Sequence, residues 1–260
     1  MTSIALHSAP ARSTVFREQL RSVFLALRGE TMLFTGALAV LTTLVVIAVL
    51  RSTPSPHERM GLSYGLGATV PVALMALLIP FGVWRTEDPS RREYHWAMPV
   101  ARGPHTLLKL VCGWLWMMSA VALYIVWIVL VDLLIHAIRG YSGGMEWAAA
   151  WQWLVPFTAA TITYLIASIA VIASDHPWRW ILGSTVGFYV LVGFLRALNM
   201  TDAMRALLTL VDGFYGLAVT AFAAVSAHDP SSVERWIGAT LIWGAVSLCG
   251  VTLASYRRKA

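Results

Sequence analysis

Apolar and polar positions along this chain sort into long blocks, without the short alternations of strands or the striped periodicity of soluble helices. Six apolar blocks, at about 31–50, 62–84, 106–137, 151–173, 180–198 and 237–256, each approach or exceed the ~20 residues that carry a helix across a bilayer. The third is longer than a crossing needs. As one helix, 106–137 would run about 48 Å at 1.5 Å per residue against a hydrocarbon core near 30 Å. It must tilt, break or project, with Lys109 near its start in the interface. A seventh apolar stretch, 206–227, contains Asp212, Gly213 and Gly216 and follows Asp202 and Arg205. We read 199–235 as an outer re-entrant element, with a seventh span as the alternative; such backbone persists at membrane depth only when protein or a cavity surrounds it.

Two polar or amphipathic segments break this pattern. Over 13–28, Phe16, Leu20, Val23, Phe24 and Leu27 recur at helical spacing, and Arg17, Arg21 and Arg28 border that face. This predicts a separate interfacial helix whose arginines snorkel to phosphates, or else a cytoplasmic helix packed on another protein. Over 84–102 the chain carries Arg85, Arg91, Arg92 and Arg102 with Glu87, Asp88 and Glu93. Pro89 suits the first turn of a helix, and Ser90–Met98 would place Tyr94, Ala97 and Met98 on one face before Pro99 stops it. A stretch this polar cannot sit in lipid and is longer than a turn requires. The cytoplasmic loop 85–103 is therefore read as a docking element.

Composition agrees with the pattern. The 260 residues are 58% hydrophobic and only 12% charged, about half the charged share of soluble domains. The net charge of +6 is carried mostly by arginines at the ends of apolar blocks, which is a membrane-flank distribution and not a nucleic-acid patch. With six spans and the amino terminus inside, Arg12, Arg17, Arg21, Arg28, Arg85, Arg91, Arg92, Arg102, Lys109, Arg179, Arg257, Arg258 and Lys259 fall on the inner side. That bias places both termini in the cytoplasm. The first thirty residues lack the pattern of a cleaved signal peptide. Cys112 and Cys249 lie in apolar blocks and read as small buried hydrophobes.

Candidate chemistry is sparse. A phosphate-binding Gly-x-x-x-x-Gly-Lys-Ser/Thr is missing from the sequence, as are a His-Glu-x-x-His and a Cys/His cluster of metal spacing. We expect no enzyme activity and no metal or cofactor in this chain. Asp132, His136 and Arg139 share a helical face and could form a proton relay, but we read them as pairing near the outer end and reaching water. Arg196 and Asp212 are read as a buried pair anchoring the re-entrant element. Gly61/Gly65 and Gly183/Gly187 have small-xxx-small spacing that lets helices approach. Pro71, Pro80 and Pro156 would kink spans. Trp84, Trp147, Trp151, Trp153, Trp178, Trp180 and Trp236, at block ends, read as an aromatic belt.

The order of residues Glu87, Arg91, Glu93, Pro99-Val100-Ala101-Arg102 and Lys109 resembles the loop between the second and third spans of type-2 ATP-binding-cassette exporter permeases. In layout the resemblance covers nearly the whole chain; its sequence-specific part is this loop. It implies an all-α membrane permease in a bacterial cytoplasmic membrane, with six spans, an interfacial amino-terminal helix and re-entrant outer helices. It also implies a second permease subunit, alike or related, and two copies of a cytoplasmic ATPase that carry the ATP and magnesium. Glu87, Arg91, Arg92, Glu93, Tyr94, His95, Pro99 and Arg102 would contact that ATPase, driving outward movement of an amphipathic, lipid-like, peptide or drug substrate. An ion-driven transporter using Asp132, Arg196 and Asp212, or a membrane anchor of a larger complex, are the rival expectations.

Overall fold

The computed structural model describes residues 12–51, 66–85, 102–139, 153–204 and 233–257. Six main helices occupy them: α1 (Arg12–Arg51), α2 (Leu66–Trp84), α3 (Arg102–Arg139), α4 (Val155–Ala173), α5 (Pro177–Ala197) and α6 (Val233–Arg257). Among the described residues four helices contain stretches long and apolar enough to cross a membrane: Val15–Ala48, His105–Leu134, Val155–Ala173 and Pro177–Ala197. Pro71–Trp84 and Thr240–Ser255 are apolar but shorter. This is the makeup of an all-helical, multi-pass membrane protein.

Hydroxyl side chains fit these helices because they bond backward to their own backbone. Thr161 Oγ1 donates to the Phe157 carbonyl at 2.8 Å and Ser247 Oγ to that of Trp243 at 2.6 Å. Such bonds hide a polar group that neither lipid nor core would solvate. The exterior is correspondingly apolar: Leu33 is 75% exposed, Leu241 67% and Val190 65%. In water that surface would aggregate; against acyl chains it is the matching solvent face.

Two sequence expectations change here. The 13–28 segment is not a separate element, because α1 is one continuous helix of 40 residues, about 60 Å long. Part of its apolar face packs within this chain. Val23 and Leu27 are each 1% exposed and join this chain's own core, with Phe16 and Leu20 packed against it. Burying that stripe within the chain leaves Arg17, Arg21 and Arg28 exposed beside it. Pro156 kinks nothing: it sits in the first turn of α4, where its missing N–H would have had no helical partner. Pro71 and Pro80 do lie inside α2. The long third block is unbroken over 38 residues, about 57 Å, so it tilts or projects.

Side-chain pairs fix the helix directions. Phe24 meets Trp116, Phe34 meets Tyr124, and Trp127 Nε1 donates to Thr42 Oγ1 at 2.7 Å, so α1 and α3 run parallel. Trp114 Nε1 donates to Thr161 Oγ1 and Tyr164 Oη to the Leu110 carbonyl, so α4 runs opposite to α3. Trp243 packs with Ala159 and Ile162, and a side chain at Gly250 would meet Ile169, so α6 parallels α4. The Arg12 end of α1 and the Arg257 end of α6 therefore share one end of the bundle. The core lies among α2, α3, α4, the first half of α1 and the last turns of α6. By contrast α5 buries none of its residues. It begins after a three-residue connector in which Ser174 Oγ accepts the His176 N–H, and Trp178 stacks on Phe81 of α2. It ends at Asn199, whose φ of 55° is the left-handed cap that asparagine tolerates.

Candidate functional site

The predicted docking residues Glu87, Arg91, Arg92, Glu93, Tyr94, His95 and Pro99 lie outside the described residues, as does Asp212 of the predicted outer element. Of the eight only Arg102 falls within them, as the first residue of α3, and its side chain is not described. What can be built from residues is the seat on which the 86–101 segment stands: the end of α2, the start of α3, and the parts of α1 and α4 that hold them.

Trp84, the last residue of α2, is not a lipid-belt tryptophan. It is 7% exposed, within the core, because the first turns of α3 and the α1 helix close over it. Lys109, two turns into α3, is 4% exposed with its Nζ 4.9 Å from the centre of the Trp84 ring. An ammonium over an indole face is attracted by the ring quadrupole, the more so where water is excluded. Lys109 is therefore a core cation, packed against protein at the start of α3. One residue beyond Trp84, Arg85 lies 3.6 Å from Glu30 of α1; both are substantially exposed, so this pair orients more than it stabilises.

Below these contacts the helices approach closely. A Cβ at Gly82 would meet Leu27 and Glu30 of α1, and one at Gly113 would collide with Tyr164 Oη and come within 2.8 Å of Val83 Cγ2. Tyr164 is fully buried, and its hydroxyl donates to the Leu110 carbonyl at 2.9 Å. Four helices thus meet within one turn of Trp84 and Lys109, and both roots of the 86–101 segment are held by the same packed layer.

Of the polar residues predicted in the spans, the structure describes the side chains of Asp132 and Arg196. Asp132 is 3% exposed, so its carboxyl does not reach water as expected; burial among helices is the reason. His136 and Arg139 follow it on α3, with side chains outside the description. Arg196 is exposed in the last turn of α5, and Asp212, its predicted partner, lies outside the described residues. Gly183 and Gly187 face open space among the described residues, so that spacing packs no described helix. Cys112 is buried and Cys249 exposed, both as free thiols.

Sequence reasoning missed Glu30, Gly82, Gly113 and Tyr164. Only Tyr164 carried a signal, a hydroxyl in mid-block that needs a partner when buried. Comparison with known proteins finds no matching family, no similar characterised protein and no solved structure of like fold. The functional reading therefore rests on residues and packing.

Proposed function

We propose that this chain is the membrane subunit of an ATP-driven exporter, resembling the type-2 ATP-binding-cassette permeases, and that the 86–101 segment receives a separate cytoplasmic ATPase. The observation that carries the reading is the shared seat of that segment. Trp84, just before the segment, and Lys109, two turns into the helix that follows it, meet in one buried contact, backed by Tyr164 and Leu27. A partner that pushes on such a segment shifts packed helices and not a slack loop. The mixed charges of Glu87, Arg91, Arg92 and Glu93 suit a protein partner.

Helix polarity supports six crossings. The start of α1 and the end of α6 lie at one end of the bundle, which requires an even number of passes. One added span in 206–227 would make the number odd. Under this reading that shared end is the cytoplasmic one, in keeping with the positive-inside bias, and the membrane a bacterial inner membrane. A second permease subunit belongs to the same reading, and α5, which buries nothing, leaves an apolar face for lipid or for that neighbour. The substrate class that suits an apolar interior is amphipathic or lipid-like, carried outward.

Replacing Arg91→Glu together with Arg92→Glu is expected to weaken capture of the ATPase subunit at least about tenfold, from like-charge juxtaposition at the contact, with membrane insertion unchanged. Co-purification from detergent measures it; capture at the wild-type level overturns the docking assignment.

The burial of Asp132 favours one rival, an ion-driven carrier. The two readings part at Asp132→Asn. Under our proposal ATP-dependent transport in vesicles persists in this variant. A proton- or sodium-driven flux that needs no ATP and disappears with the substitution would establish the rival.

A further inference from the structure

A groove of about 680 Å³ runs between the second half of α1 and the last third of α3. Thr35, Ala39, Thr43 and Ile47 line one wall at four-residue intervals, and Trp127 and Leu134 line the other. The lining looks partly polar by residue type but is dry by chemistry. Thr35 Oγ1 donates to the Thr31 carbonyl at 2.8 Å, Thr42 to Leu38 at 2.7 Å and Thr43 to Ala39 at 2.9 Å. Trp127 Nε1 donates to Thr42 Oγ1 at 2.7 Å. Every side-chain donor in the lining is engaged, so the groove presents methyl and ring carbon.

We propose that this groove holds one acyl chain of a phospholipid in the leaflet distal to the Arg12 end of α1, with the lipid phosphate at Arg51. Two features select a lipid over a protein helix. From Thr35 to Ile47 the groove spans about 18 Å at 1.5 Å per residue, close to the ~15 Å depth of one leaflet. Arg51 is exposed and continues the same four-residue stripe, one turn beyond Ile47 at the end of α1. A guanidinium placed there meets a phosphodiester at the depth where headgroups lie. The inference rests on α1 and α3 crossing the membrane and is independent of the ATPase reading.

The test uses the full chain in phosphatidylcholine vesicles containing a phosphatidylglycerol with a photoreactive diazirine in its acyl chain. Adducts are mapped by peptide mass spectrometry. Labelling is expected to concentrate on 35–47 and 127–134, well above the α5 face that carries Leu182, Val186 and Val190. Ala39→Trp, which fills the groove, should reduce groove adducts several-fold while α5 labelling stays constant. Arg51→Gln, far from the packed core, should reduce them about fivefold. Equal labelling of groove and α5, or groove labelling unmoved by Arg51→Gln, overturns the proposal. So does quantitative disulfide formation between two copies of a Thr43→Cys variant, which would make the occupant a second chain. Loss of α5 labelling as well would instead show that the helices are not in the membrane.

Discussion

Gly113→Ala is expected to be among the most destabilising single-methyl additions this chain can suffer, lowering unfolding free energy by up to about 3 kcal/mol. The added carbon would overlap Tyr164 Oη and crowd Val83 Cγ2. Neither neighbour can yield cheaply. Tyr164 is a rigid ring with no exposed surface, fixed at its tip by the bond to the Leu110 carbonyl, and Val83 is equally buried. Relief would require α3 and α4 to separate. At Gly82 the same methyl meets the flexible end of Leu27, which can rotate away, and the expected effect is smaller. At Gly183, with open space around it, Ala is expected within about 0.5 kcal/mol of wild type. Denaturant unfolding in detergent micelles, followed by tryptophan fluorescence, measures all three. Tyr164→Phe removes the colliding oxygen, so Gly113→Ala/Tyr164→Phe should be more stable than Gly113→Ala alone. A double variant no better than the single one would show that the two positions are not in contact.

The contrast between Gly113 and Gly183 also shows what sequence could and could not reveal. The apolar blocks were legible as helices because backbone in an apolar layer must satisfy its own hydrogen bonds; all six are mainly helical where described, and four of those helices are long and apolar enough to cross a membrane. Side-chain partners were not legible, because lipid and protein interior are equally apolar. Hydrophobicity therefore cannot tell a lipid-facing residue from a buried one. Gly183 and Gly187 carried the recognised helix-packing spacing yet pack against no described residue, while Gly113 sits alone in its block and lies at the tightest contact described. Trp84 failed for the same reason. Tryptophan at a block end fits a membrane belt, and only the approach of α1 and α3 turns it inward. The 13–28 segment was misjudged differently: its amphipathic stripe was read correctly, but a stripe does not name the surface that covers it. The residues proposed for docking form a polar island legible in the sequence, and the structure describes the helices on either side of it.

Lys109→Glu is expected to lower stability by at least about 3 kcal/mol, as placing an uncompensated charge in a packed layer does. Lys109 is 4% exposed and faces the Trp84 ring at 4.9 Å. A carboxylate there would be desolvated and turned toward the negative face of the indole, which repels it. Lys109→Met separates charge from bulk, since it keeps an unbranched apolar stem but removes the cation. Its loss of ring attraction should amount to about 0.5–2 kcal/mol, and Trp84→Leu should make much of that loss redundant in a double-variant cycle. A coupling energy near zero would reduce the contact to coincidence. Lys109→Met also tests the link from packing to function. If the Trp84–Lys109 contact ties the two roots of the 86–101 segment together, the Met variant should still capture the ATPase but convert less of its turnover into transport. Transport and ATP hydrolysis measured in the same vesicles give that ratio. A variant that loses both in proportion would show that Lys109 supports only folding, and one that loses neither would show that the roots need no tie.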